Sequence, residues 1–182
     1  MTQQPSTPAQ NTPVTVVGLG PMGLALATAL TEKGHPTTVW NRTPEKARDL
    51  VARGARLAPS VADAVAASPL TLVCLKDYAA LYEALGPVGG AAAGRALVNL
   101  SSGTPKEAHA AASWAAERDL AYLDGAIMVP PPLVGDPESV FLYSGPREVF
   151  DAHRSTLASW AIPGTSGSTP ASPCSTTRRC SV

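Results

Sequence analysis

Residues 18–23 read Gly-Leu-Gly-Pro-Met-Gly, three glycines at the spacing G-x-G-x-x-G. Each glycine meets a separate demand of a dinucleotide diphosphate. Gly18 allows a tight turn, Gly20 lets the diphosphate reach the backbone, and Gly23 lets a helix close on a strand. The pattern carries weight only between a strand and a helix. That context is present: the β-branched run Val14-Thr15-Val16-Val17 precedes it, and a stretch of good helix formers, Pro21 to Leu30, follows. Pro21 is tolerated in a first helical turn. A helix N-terminus at this point turns free N–H groups and a positive dipole end toward phosphate. Gly18, Leu19, Gly20, Pro21, Met22 and Gly23 are therefore candidate cofactor contacts.

A second constellation selects the dinucleotide. The short strand Thr37-Thr38-Val39-Trp40 ends in Asn41-Arg42-Thr43, with Lys46 one helical turn on. An NAD site usually has Asp or Glu at this point to hydrogen-bond the ribose 2′-OH. Here no carboxylate is present to repel a 2′-phosphate. The planar fork of Arg42 can clamp phosphate, Thr43 adds a hydroxyl and a helix N-terminal N–H, and Lys46 adds a second charge. Asn41, Arg42, Thr43 and Lys46 thus point to NADPH over NADH. The plainer alternative is that Arg42 and Lys46 are solvated surface charges.

Three more segments fall where open parallel sheets bind ligands, beyond the carboxyl ends of strands. Leu75-Lys76-Asp77 follows the apolar run Leu70–Leu75, and Asn99-Leu100-Ser101-Ser102 ends the run Ala96–Leu100. Leu75, Lys76, Asp77, Asn99 and Ser101 border the nicotinamide half of such a cleft. Ser101 and Ser102 can hydrogen-bond substrate or carboxamide, or can cap the next helix. The third segment, Asp124 to Met128, runs into three prolines, Pro130 to Pro132. Asp124 reads as a pocket acid or a turn residue, the turn being favoured, and Met128 as a substrate contact. His35, His109 and His153 have no ligand spacing and read as surface residues, so no metal site is expected. Trp114 and Trp160 are expected to pack.

Strands and helices alternate along the whole segment that carries these residues. Expected helices include Thr43–Arg53, Ser60–Ala67, Tyr78–Leu85, Thr104–Arg118 and Arg147–Trp160. Further strands are expected at 120–124 and 140–143, and Gly86–Gly94 reads as a loop. This order predicts an α/β fold of Rossmann type, doubly wound about a mainly parallel sheet. Residues 1–12 read as a disordered leader, 13–160 as the cofactor domain and 161–182 as a disordered, irregular tail. Nine of the last 22 residues are Ser or Thr, and none is Lys, Asp or Glu.

Composition excludes several classes. Of the 182 residues 45% are hydrophobic, enough for a core, and the formal net charge is zero. A neutral chain is not expected to bind nucleic acid or anionic lipid broadly. No apolar run has transmembrane length. Residues 1–13 lack a basic n-region, and three cysteines make no disulfide framework. A cytoplasmic protein is expected.

The chain resembles the N-terminal domain of the imine reductases, relatives of the β-hydroxyacid and 6-phosphogluconate dehydrogenases. The likeness rests on Val16–Gly23, Trp40–Lys46, Val98–Pro105 and Tyr122–Met128, the last being the more specific mark. It implies hydride transfer from NADPH to an imine or related carbonyl. It also implies a C-terminal helical domain that brings the proton donor and makes a homodimer. No such domain is expected in this chain, so no catalytic acid is assigned. One explanation of the tail is a shifted reading frame from about Trp160: GC-rich codons for Trp160–Thr165 can then encode Gly-Asp-Pro-Arg-His. Two rival readings stay open beside the reductase. One is a truncated module that binds NADPH without turnover, and the other is the cofactor domain of a β-hydroxyacid dehydrogenase.

Overall fold

The computed structural model describes residues 11–136 and 138–160. Among these residues, seven strands form one sheet: β1 Val14–Val17, β2 Thr37–Trp40, β3 Arg56–Leu57, β4 Leu70–Val73, β5 Ala96–Asn99, β6 Ala121–Ile127 and β7 Phe141–Ser144. Their order is β3-β2-β1-β4-β5-β6-β7. All neighbours are parallel except β6 and β7. From β1 the chain builds outward to β3, then returns to β4 on the other side of β1. That reversal is the switch point at which such sheets open a ligand crevice.

Side-chain alternation along the central strands divides the core in two. Val14 and Val16, Leu70 and Leu72, Val98 and Leu123 face one side, with Leu26, Leu30 and Phe150. Val17, Val73, Leu97 and Tyr122 face the other, with Leu81, Leu85 and Ala111. The nearly continuous apolar strands follow from burial on both faces. The helices are α1 Pro21–Glu32, α2 Arg48–Ala52, α3 Val61–Ala66, α4 Tyr78–Leu85, α5 Pro105–Ala116 and α6 Arg147–Leu157. Local chemistry starts three of them. Ser60 Oγ accepts from Asp63 N, Asp77 Oδ1 accepts from Ala80 N, and Thr104 with Glu107 forms a capping box.

Several expectations need correction. The helix expected from Thr43 to Arg53 is a 3₁₀ turn over Pro44–Ala47 followed by the short α2, and Thr43 makes no side-chain cap. Gly86–Ala92 winds into 3₁₀ turns, broken at Gly89, rather than an open loop. The edge strand β3 has only two residues, too few for a periodic signal. Strand β6 runs on to Ile127 because β7 pairs antiparallel with residues 124–127, so Asp124 is a strand residue and not a turn. His35 is 8% exposed rather than on the surface. Its Nε2 meets Ser159 Oγ at 2.8 Å and its Nδ1 meets the Thr12 carbonyl at 3.0 Å.

Asn11 and Thr12, ahead of the first strand, are therefore already tied to the domain, Asn11 Nδ2 donating to the Lys33 carbonyl at 2.7 Å. Residues 1–10 and 161–182, read as leader and tail, lie outside the described residues. Among the described residues no helix is long and apolar enough to cross a membrane.

Trp160 closes the described chain. It has no exposed surface, donates from Nε1 to Tyr143 Oη at 3.1 Å, and lies 5.7 Å from the Phe141 ring. Trp160→Ala is expected to lower unfolding free energy by about 3–5 kcal/mol. Thr104→Ala is expected to cost about 1 kcal/mol. Urea titration followed by far-UV circular dichroism checks both values.

Candidate cofactor-binding site

The turn after β1 is built by contacts that exclude a Cβ. Gly18 has φ +98°, and a Cβ there would lie 2.3 Å from the Cys74 carbonyl oxygen. A Cβ on Gly23 would fall 1.9 Å from the Gly18 carbonyl oxygen. Both approaches are to backbone, which cannot swing aside. Above Gly20 the situation is opposite: a Cβ there would meet nothing within 4 Å, so the backbone is open to a ligand. Gly20 caps α1, and the N–H groups of Met22 and Gly23 have no carbonyl four residues back in the helix. The arrangement fits a diphosphate cradle.

This turn forms one wall of a cleft of about 710 Å³. The cleft brings together Gly18, Gly20, Pro21, Met22 and Gly23 with Asn41, Arg42, Thr43 and Lys46, and with Leu75 and Lys76. That volume suits a large cofactor. Leu19 does not line it: its side chain is fully buried, and its N–H donates to Asn41 Oδ1 at 2.9 Å. Asn41 Nδ2 donates in turn to the Thr43 carbonyl at 2.9 Å. Asn41 therefore locks the β1 turn to the β2 exit and holds Arg42 and Thr43 between.

The sequence has no carboxylate at the end of β2, but the fold brings one there from elsewhere. Glu83, on α4, reaches Arg42 Nη1 at 3.9 Å and lines the same cleft. The two side chains are 75% and 85% exposed, so solvent screens the pair and it holds Arg42 weakly. Trp40, Val61, Ala80, Ala84 and Pro87 also line the cleft and were not foreseen. They are ordinary apolar residues, given meaning only by the packing of α3 against β2 and of α4 against α3.

The residues expected at the nicotinamide end are arranged in depth. Asp77 is spent on capping α4 and does not line the cleft. Asn99 and Ser101 are buried behind it, Ser101 Oγ accepting from Leu75 N at 3.2 Å. Ser102 and Met128 are exposed, Met128 by 62%, and neither lines the cleft. The cap of α5 is Thr104, so Ser101 and Ser102 do not cap it. Among the described residues no group of His, Cys, Asp and Glu could hold a metal ion.

Comparison with known proteins agrees with this geometry. The family described as the NAD binding domain of 6-phosphogluconate dehydrogenase matches residues 13–167, and the chain belongs to it. The NADPH-dependent reductive aminase of Aspergillus oryzae is 38% identical over 144 residues, 79% of this chain and 49% of that protein. The imine reductase of Myxococcus stipitatus, solved in complex with NADP+, superimposes with TM-score 0.80 at 40% identity, over 82% of this chain and 52% of its own. A V8 variant of that enzyme was solved with NAD+. The reductive aminase of Aspergillus terreus, in complex with NADPH and ethyl-5-oxohexanoate, gives TM-score 0.82 at 39% identity, over 90% and 55%. The chain spans about half the length of these relatives.

Cys74, at the β4 exit, lines the cleft beside Gly18. Burial pushes its thiol from 9.0 to about 11. The protonated form is thus favoured by folding, which stabilises the fold fully below 9.0, and this contribution is lost as pH rises through 11. In a chain carrying Cys174→Ser and Cys180→Ser, iodoacetamide at pH 8 is expected to label Cys74 at least about tenfold more slowly than in urea. Mass spectrometry against time measures the ratio.

Proposed function

We propose that this chain is the NADPH-binding half of an oxidoreductase that delivers hydride to an imine carbon or a related carbonyl. The observation that carries the reading is the pairing of two cleft walls. One is the open backbone at Gly20 with the α1 N-terminus, and the other is Arg42, Thr43 and Lys46 at the β2 exit. The first wall suits a diphosphate, and the second adds two cations and a hydroxyl where a 2′-phosphate would lie. Bound NADPH would supply the transferable hydride. The chain's residues bind and orient: Asn41 sets the β2 exit, and Leu75 and Lys76 flank the far end of the cleft. The proton donor and most of the substrate pocket would come from a second, helical half. Resemblance to the imine reductases and reductive aminases supports imine or carbonyl substrates and a homodimeric parent. A cytoplasmic location is part of the same proposal. The domain division read from the sequence, cofactor domain to 160 and a frame-shifted tail beyond, is part of this proposal.

A second reading is a module that holds NADPH without turning it over, since the family matched over residues 13–167 is described as a binding domain. NADPH oxidation with a cyclic imine separates the two: a rate at background defeats turnover by this chain and leaves binding intact. A β-hydroxyacid dehydrogenase is disfavoured, since Met128–Pro132 stands where that branch has a glycine-rich substrate loop.

Arg42→Ala tests the cofactor choice. Loss of a charge-assisted phosphate contact is worth about 1.5–3 kcal/mol. NADPH affinity is therefore expected to fall roughly ten- to hundredfold, with NADH affinity nearly unchanged. Fluorescence titration measures both, and an unchanged ratio of the two overturns the 2′-phosphate assignment.

A further inference from the structure

Asp124 carries three donors on one oxygen. Its Oδ1 accepts from Tyr78 Oη at 2.6 Å, Tyr122 Oη at 2.9 Å and Asn99 Nδ2 at 3.2 Å. The donors come from α4, β6 and β5, so one carboxylate ties three elements together. Asn99 has no exposed surface and Tyr78 has 2%. Burial and the nearby carboxylate hold both tyrosine hydroxyls well above their ordinary range, so both remain donors.

The connection continues toward the cleft. Asn99 Oδ1 accepts from Ser101 N at 3.1 Å, and Ser101 Oγ accepts from Leu75 N at 3.2 Å. Leu75 lines the cleft. A chain of hydrogen bonds therefore crosses from β6 through β5 to the exit of β4. Close packing leaves the segment between few alternatives. A Cβ on Gly103 would lie 2.2 Å from the Tyr78 ring, and one on Gly125 2.7 Å from Leu100 Cδ2.

Strand order says which part of the cofactor meets this end. With the 2′-phosphate at β2 and the diphosphate at β1, the remaining half extends over β4 and β5. We infer that Asp124 is a positioning residue for the nicotinamide end of the cleft, setting the β5 and β4 exits through Asn99 and Ser101. The inference rests on the NADPH reading above and adds a residue that does not itself line the cleft.

Asp124→Asn keeps the size and removes the charge. Its Kd for NADPH is expected to rise about tenfold, since hydrogen bonds to a charged acceptor are about twice as strong as neutral ones. Its Kd for adenosine 2′,5′-bisphosphate, which lacks the nicotinamide half, should stay within about twofold. Equal weakening for both probes, or none for either, overturns the inference. Arg42→Ala gives the contrasting pattern and weakens both. Hydrogen exchange on the ligand-free chain supplies a test independent of the nucleotide: the Leu75 and Ser101 amides lose protection in Asp124→Asn. Unchanged protection there overturns the positioning role. A parent chain that binds neither nucleotide defeats the NADPH reading alone, and hydrogen exchange then decides this one. Should Asp124→Asn fail to fold, Tyr122→Phe removes one donor and is expected to shift both readouts in the same direction by a smaller amount.

Discussion

No side chain fits between the β1 turn and the strand beside it, and the architecture of the cleft follows from that exclusion. Gly18 lies against the Cys74 carbonyl, and Gly23 lies against the Gly18 carbonyl. The first approach lets β1 and β4 stay in register to their ends, with Cys74 N donating to the Val17 carbonyl at 2.8 Å. The second seats α1 directly on the turn, and its first residues, Pro21, Met22 and Gly23, line the cleft. A methyl group at either position would have to push backbone aside. Such overpacking costs about 1–3 kcal/mol in ordinary cores, and here it would also tilt the helix that aims the free N–H groups.

Charge in the cleft is organised by a different principle. The diphosphate end uses backbone dipoles, which folding holds in place. The β2 end uses Arg42 and Lys46, long exposed side chains whose positions are set only through Asn41 and the 3₁₀ turn that follows. Glu83 shares that space with Arg42. A screened surface pair is worth about 0–1 kcal/mol, less than a bidentate arginine–phosphate contact, so on the proposed reading a dianionic 2′-phosphate would outcompete it. A cofactor without that phosphate leaves Glu83 and Arg42 paired. On the proposed NADPH reading, discrimination between dinucleotides would be a difference between two partners for one guanidinium.

The opposite end of the cleft is rigid by contrast. Asn99 and Ser101 are buried, and their polar atoms are engaged within the protein. Asp124 anchors them. A half-buried carboxylate is tolerated because three donors replace its water. Removing that acceptor would leave three donors short of a partner in poorly solvated space, which makes the cluster a single unit rather than three separate bonds.

Much of this was legible from local sequence. Three glycines at their spacing, flanked by a β-branched run and a helix-forming run, determined the turn and its ligand class, since the pattern that builds them is short in sequence. Asn41-Arg42-Thr43 marked the β2 exit, and Ser60 and Thr104 each start the helix that their side-chain chemistry favours, whereas Asp77, read as a cofactor contact, caps α4. Tertiary structure decided the rest. Glu83 came to Arg42, 41 residues away in the chain, because α4 packs on α3 and α3 lies against β2. Asp124 became a strand residue because β7 turned back to pair with β6, and its three donors converge from separate elements. His35 was drawn inside by Thr12 and Ser159. Propensity and spacing act over a few residues, so they determine where elements begin and what a turn can hold. Which distant side chains share a cleft depends on strand order and helix packing, and those exist only once the chain has closed on itself.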